Sequence, residues 1–281
     1  YRLQGSKYVQ SKTEDIFALV KTDLDNGLRV LFSGTPCQVA ALYSYLGQKN
    51  ELLYTVDIVC HGVMAPKMWK NYLGYINKKY GEITHADFRD KAFGWQAHNE
   101  TFTVGEQKIK KNIYRKIFYK NILLRPCCYG IKNGRYITAC KYAGMSRISD
   151  ITIGDFWGIE NAAGFFENVN LGISLCIINT QQGSRLFEKV KPNLMWERRD
   201  ISETLAKQPH LSCDEDGVPI KAVEAARQMY AEKGFLYIAS KYGENGICGI
   251  YPKGVRFIRH IRNKVLKKMG FTTERRKDDD N

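Results

Sequence analysis

Two apolar runs, "RVLFSG" at 29–34 and "LLYTVDIVC" at 52–60, flank a stretch from about Gln38 to Leu46 whose apolar positions recur at helical spacing. Short apolar runs ended by small residues predict buried strands, and a helix between two of them predicts a βαβ unit with a parallel pair. A second helix is predicted over "PKMWKNYLGYINKKYG", with Pro66 in its first turn, where a missing N–H costs nothing. "ITHADFRD" and "NETFTVGEQKIKKN" predict strands, the second a pair joined at Gly105, and "IYRKIFYKNILL" predicts a helix. "RPCCYGIKNGRYITACKYAGMSRISD" shows no long period and reads as an irregular loop. "ITIGDFWGI" and "GISLCIINT" predict further strands, and "QGSRLFEKV" a short helix. From about Asp200 the pattern turns helical, most clearly in "KAVEAARQMYAEKGFLYIASKYG". The expected fold is α/β: a mixed, largely parallel sheet with flanking helices over residues 1–199, then a helical, basic C-terminal region over 200–281.

At 281 residues the chain is long enough to bury a real core, and no apolar run approaches the roughly 18 residues of a membrane span. No signal peptide is visible, so the expectation is a soluble, cytoplasmic protein. Lysine and arginine exceed aspartate and glutamate by 14. That excess favours acidic partners: nucleic acid, an anionic membrane, a phosphorylated cofactor or an acidic protein. Much of it lies in "KGVRFIRHIRNKVLKKMG" and "ERRKDDDN", where Ile258, Ile261, Val265 and Met269 recur at near-helical spacing. Such a helix suits a membrane surface or an acidic redox partner, as well as ordinary packing with a basic outer face.

Eight cysteines without a secretory signal argue against a disulfide framework and towards metal or redox chemistry. Cys37 and Cys60 each follow a predicted strand of the same βαβ unit. Parallel neighbours end on one edge of a sheet, which is also where open α/β sheets hold ligands. Cys127, Cys128 and Cys140 fall in the irregular loop, whereas Cys176, inside "GISLCII", is expected in the core. Thiolates converging from two strand ends and a loop suit zinc or an iron–sulfur cluster, with ordinary buried thiols as the plain alternative. "TPCQ" is similar to the Pro-Cys-Gln of DNA cytosine methyltransferases. Nothing like their glycine-rich methyl-donor turn precedes Ser33.

Five stretches occurring in order resemble the C-terminal domain of the coenzyme F420 hydrogenase/dehydrogenase beta subunit family. They are "GSKYVQS" at 5–11, "VLFSGTPCQVAAL" at 30–42, "VDIVCHGVMAPKMW" at 56–69, "FRDKAFGW" at 88–95 and "SDITIGDFWGI" at 149–159. The resemblance implies an iron–sulfur flavoprotein oxidoreductase with a 4Fe-4S cluster and FAD. It would pass electrons between a reduced carrier, coenzyme F420 or ferredoxin-like, and a partner protein or substrate. The competing expectation is a zinc-stabilised basic binding module without redox activity. The family's ligand pattern assigns the cluster to Cys37, Cys60, Cys128 and Cys140. Here eleven residues separate Cys128 from Cys140 where two are usual, and Cys127 stands where serine is usual, so Cys127 is an alternative ligand. Ferredoxin-like cysteine runs upstream, frequent in the family, do not occur, which points to a truncated chain or a separate electron-donor protein.

The same resemblance makes Lys7 a candidate for flavin phosphates and Tyr8 for stacking on a ring. Gly34, Thr35, Gln38 and the amides after Pro36 are candidates for bonds to cluster sulfurs or a phosphate at the helix N-terminus, and Thr35 equally for a helix cap. Gly154 and Gly158 permit close backbone approach, and Asp155 and Trp157 are candidates to meet the cofactor. His61 reads as a structural hydrogen-bonder or a proton relay. Arg89 and Asp90 read as an internal ion pair.

Overall fold

In a computed structural model, which describes residues 5–95, 99–111, 129–138, 140–159, 172–205, 207–212 and 218–242, the chain folds as a mixed α/β protein. It begins with α1 (Ile16–Asp25), β1 (Val30–Gly34), α2 (Pro36–Leu46) and β2 (Leu53–Ile58). There follow α3 (Pro66–Tyr80), β3 (Ile83–Asp87), β4 (Glu100–Val104) and β5 (Gln107–Lys111). After these come β6 (Tyr129–Lys132), β7 (Arg135–Thr138), β8 (Ile151–Asp155), β9 (Ser174–Ile178) and α4 (Gln181–Val190). The last elements are α5 (Ser202–Leu205), α6 (Pro209–Ser212), β10 (Val218–Pro219) and α7 (Ile220–Tyr242).

The central sheet has the order β1-β2-β8-β9. β1, β2 and β8 are parallel, and β9 closes one side antiparallel. The predicted βαβ unit is thus present, with Gly34 in register with Asp57. Phe32 and Leu53 are covered by Val20 and Leu24 of α1 and by Val39 and Leu42 of α2. β3, β4 and β5 form a separate antiparallel sheet whose Phe102 is fully buried against Tyr72 and Ile76 of α3 and Phe235 and Ile238 of α7. A third cluster gathers Val59, Trp95, Phe156, Leu175 and Leu211. The helical region beyond residue 200 therefore contributes to two of these cores.

Two expectations are corrected. The stretch around Cys140 is not irregular throughout: β6 and β7 form a hairpin turned at Asn133 and Gly134, both at positive φ, and β10 extends it. Asn-Gly between apolar positions is a strong hairpin signal, here masked by the glycines and cysteines around it. Cys176 is exposed rather than buried, because β9 is an edge strand with only Leu175 turned fully inward. Crowding around its sulfur nevertheless pushes the Cys176 thiol pKa above the ordinary value. The predicted helix over "IYRKIFYKNILL", Cys127, Cys128 and the basic segment carrying Ile258 to Met269 lie outside the described residues. Among the described residues no helix is long and apolar enough to cross a membrane.

Polar groups pin the start of β8 to β2. At its start, Asp150 accepts from the Thr55 amide and hydroxyl at 2.8 Å each and from Thr180 Oγ1 at 2.5 Å. Two residues further along β2, Arg147 reaches Asp57, the register neighbour of Thr152, at 3.0 Å, with side chains only 2% and 0% exposed. Removing one partner of such a pair leaves an uncompensated buried charge. Arg147→Met is expected to cost about 3–5 kcal/mol, read as a lower urea midpoint with unchanged slope.

Asp90 supplies a pH dependence. Burial alone would raise its pKa, but the Lys108 ammonium at 2.6 Å and donors from Ala92 and Thr101 overcome this and hold it below the ordinary aspartate value. A carboxylate depressed on folding contributes stability that is present above the unfolded pKa and lost as pH falls through the folded one. Asp90→Asn should therefore flatten the acid limb of a stability–pH profile measured below about pH 4, leaving the neutral limb parallel to wild type.

Candidate functional site

The carboxyl-terminal edge of β1, β2 and β8 collects the chemistry. Cys37 lies three residues beyond Gly34 and Cys60 three beyond Asp57, and Gly34 and Asp57 are neighbours in register, so both cysteines leave the same edge. Cys37 is exposed in the first turn of α2, its sulfur 3.1 Å from Thr35 Oγ1. Thr35 is also the cap: its amide donates to Gln38 Oε1 at 2.9 Å in a capping box, and Gln38 Nε2 donates to Ser11 Oγ at 2.9 Å. Cys60 Sγ accepts the Gly62 amide at 3.3 Å.

Cys140 is tied to this edge from the other side. The turn that starts there is held at Gly144, whose amide donates to the His210 carbonyl at 2.8 Å. Arg147 donates to the carbonyls of Tyr142 and Ile58, both at 3.1 Å. The His210 ring meets the His61 ring edge-on at 4.2 Å, next to Cys60. Among the described residues no three His, Cys, Asp or Glu side chains stand close enough to share a single metal ion.

Beside the strand ends opens a cleft of about 1130 Å³. Its wall brings together Lys7 and Tyr8, Cys60 and His61, Gly154, Asp155 and Trp157, all singled out from sequence. Gly34, Thr35, Cys37 and Cys140 do not line it. Tyr8 packs edge-on against Phe88 at 6.1 Å, and Lys7 Nζ donates to the Gly5 carbonyl at 3.3 Å. The structure adds Arg89, Lys91, Lys207 and Gln208, which the sequence does not mark as site residues.

Arg89 overturns its expected pairing. Its Nη1 donates to Asp155 Oδ2 and its Nη2 to the Trp95 carbonyl at 2.6 Å, while Asp90 pairs with Lys108 instead. Trp95 Nε1 donates to Asp155 Oδ1 at 3.1 Å, and Gln208 Nε2 to the Asp155 carbonyl at 2.5 Å. The Trp95 and Trp157 rings stack at 4.7 Å and 1°, with the Arg89 guanidinium 5.2 Å from the Trp157 centroid. The wall thus offers an indole held from behind and four cationic side chains against two carboxylates, Asp87 and Asp155. Burial, aided by the neighbouring Arg89 charge, pushes the Lys91 ammonium pKa down. The signal for Arg89 and Lys91 is present in "FRDKAFGW", but the Asp155 partner of Arg89 lies 66 residues away in sequence.

Gly158 sets the distance between Trp157 and the segment carrying Lys207 and Gln208. Its φ is +110°, and a Cβ there would stand 2.4 Å from the Glu203 carbonyl oxygen. Gly158→Ala should shift α5 and destabilise the fold by about 1–3 kcal/mol, read by thermal melting together with the tryptophan emission of the stacked pair.

A family model describing the C terminus of the beta subunit of coenzyme F420 hydrogenase/dehydrogenase matches residues 27–204. A comparison with curated proteins finds no match. Among solved structures, the chain is similar to one in the F420-reducing NiFe hydrogenase complex from Methanosarcina barkeri, with 14% sequence identity and a TM-score of 0.38. That likeness covers 82% of this chain and 66% of the other, so this chain spans just under two thirds of it. By the extent of the family match, more than half its length, the chain belongs to the family defined by the C terminus of the coenzyme F420 hydrogenase/dehydrogenase beta subunit.

Proposed function

We propose that this chain is an electron-transferring oxidoreductase that binds FAD in the cleft and a 4Fe-4S cluster at the adjoining strand edge. It serves a reduced carrier, coenzyme F420 or ferredoxin-like, and a redox partner protein. The observation that carries this reading is the cleft itself, which brings a stacked indole, a cationic wall and Cys60 together from distant segments. Its volume of about 1130 Å³ exceeds the roughly 300–1,000 Å³ of pockets for drug-sized ligands, as a dinucleotide needs. The excess of cations on the wall suits a ligand carrying phosphates.

Cys37, Cys60 and Cys140, with Cys128, are the proposed cluster ligands. One thiolate per iron spreads the ligands of a cluster wider than those of a single ion. The hairpin supports the last pair: Tyr129 and Thr138 stand directly opposite, so the chain enters and leaves it side by side. Cys128 directly precedes that doorway in sequence, and Cys140 follows two residues after it. Gly62 N–H and Thr35 Oγ1 already address the sulfurs of Cys60 and Cys37, the kind of contact that sets a cluster's potential. A bound flavin exchanges two electrons with a hydride carrier and single electrons with a cluster. Lys7 and Lys91 would hold phosphates or the carrier's anionic part, Trp157 would offer its face to a ring, and Arg89, paired with Asp155, would add its charge from within the wall.

Protein purified without oxygen should show a broad visible band, about four irons and matching acid-labile sulfide per chain, and bound FAD. Cys37→Ser, Cys60→Ser and Cys140→Ser should each lose most of the iron. Replacing residues 129–138 by two glycines should keep it. A colourless protein with one zinc, unchanged by anaerobic reconstitution, would overturn the reading.

A further inference from the structure

We infer that the outer face of α3 is a docking face for an acidic protein, the electron-carrying partner of the reading above, on which the partner's redox role rests. α3 buries Met68, Tyr72 and Ile76 on one side. Its opposite side presents Lys67, Lys70, Gly74 and Lys78, all exposed, and the helix contains no aspartate or glutamate. On α1 Lys21 pairs with Asp25 within the helix, and Glu188 of α4 pairs with Lys191 just beyond its end. α3 has no acidic residue of its own for such a pair. At its C-terminal end the Lys111 and Lys79 ammonium groups lie 4.7 and 5.2 Å from the Tyr80 ring centroid. Burial would raise the Tyr80 phenol pKa, yet these two cations hold it below the ordinary value.

Gly74 is an independent sign. Glycine is the least favourable helix residue after proline, and here it sits mid-helix. A Cβ at Gly74 would meet nothing within 4 Å, so no contact among the described residues requires its absence. A missing side chain at the centre of a lysine stripe lets another backbone come close.

The stripe also lies where a partner is useful. α3 starts three residues after Val63 of the cleft wall, and Met64 is bridged to Val9, beside Lys7 and Tyr8. At about 1.5 Å per residue the helix is roughly 22 Å long, a span that fits a standard protein footprint. Single-stranded nucleic acid is the poorer fit, since it needs open aromatic faces and Lys79 and Lys111 sit over the Tyr80 ring.

The test is calorimetric titration of the full chain with a small acidic ferredoxin, from about 0.01 M to about 1 M salt. Binding should weaken steeply with salt. The triple variant Lys67→Glu, Lys70→Glu, Lys78→Glu and the single variant Gly74→Trp should each bind about tenfold or more weakly, with circular dichroism unchanged. Lys189→Glu with Arg198→Glu, on a separate surface, should bind as wild type, and Gly74→Ala should raise the melting temperature. Undiminished binding by the triple variant, equal loss in the control, absence of binding at low salt, a lowered melting temperature in Gly74→Ala, or capture of a single-stranded oligonucleotide in place of the ferredoxin would each overturn the docking face. The readout involves no electron transfer. A chain that lacks iron yet binds the ferredoxin keeps the docking face and sinks the cluster reading, and an iron-loaded chain that does not bind does the reverse.

Discussion

The buried Arg147 guanidinium is the constraint on which the site depends. It donates to Asp57 inside the sheet, to the Ile58 carbonyl at the end of β2, to Thr152 Oγ1 on β8 and to the Tyr142 carbonyl in the Cys140 turn. One side chain thus ties two parallel strands and the incoming loop to a single edge. The arrangement is expensive in desolvation, and Asp57 Oδ2 has no hydrogen bond among the described residues. Arginine suits the position because its planar fork can bind several acceptors at once, which a lysine ammonium does not reproduce. A charge held this deeply fixes geometry more than it adds stability, and here the geometry is that of the cysteine-bearing edge.

The cleft follows the same logic from the other side of β8. Asp155 ends that strand, and both of its oxygens are claimed, one by Arg89 and one by the Trp95 indole. Because Arg89 also holds the Trp95 carbonyl, the carboxylate fixes a ring behind the wall as well as a cation within it. Trp157 stacks on that ring. The glycine at 172 leaves room, since a Cβ there would stand 2.6 Å from the Trp95 ring. The result is a rigid aromatic face with positive charge beside it, set before any ligand arrives, so little conformational entropy is left to lose on binding.

Much of this is legible in the sequence where local chemistry decides. Thr35 and Gln38 announce a capping box three residues apart, Pro66 opens a helix, and apolar runs mark the parallel strands. Lys7, Tyr8, Gly154, Asp155 and Trp157 stand out in short motifs far apart in the chain, and they do share one wall with Cys60. What the sequence hides is pairing at long range. Arg89 has an acidic neighbour at 90, yet it reaches 66 residues on to Asp155, because β3 delivers it to the end of β8 while Asp90 turns back to Lys108 on β5. Cys176 is misplaced for a related reason: an apolar run does not reveal whether its strand is central or at the edge.

The departure in cysteine spacing bears on the proposed cluster only through the path of the chain between Cys128 and Cys140. Eleven residues between Cys128 and Cys140 would be a serious objection if the intervening chain were extended or coiled. It is neither. Ten of those residues, 129–138, are β6, a two-residue turn and β7, and the pairing of Tyr129 with Thr138 returns the chain to where it left. An antiparallel ladder of this kind adds length without moving its own ends apart, since opposite residues stay about 5 Å from one another at every rung. The hairpin is also not a loose appendage, because Val218 and Pro219 extend its sheet and the Ile220 amide donates to the Gly134 carbonyl at 3.2 Å. Its tip is therefore anchored at the start of α7, whose far half packs in the core beside α3. A hairpin that closes on itself and is held at its tip keeps its own two ends, Tyr129 and Thr138, side by side, which a flexible loop of equal length does not.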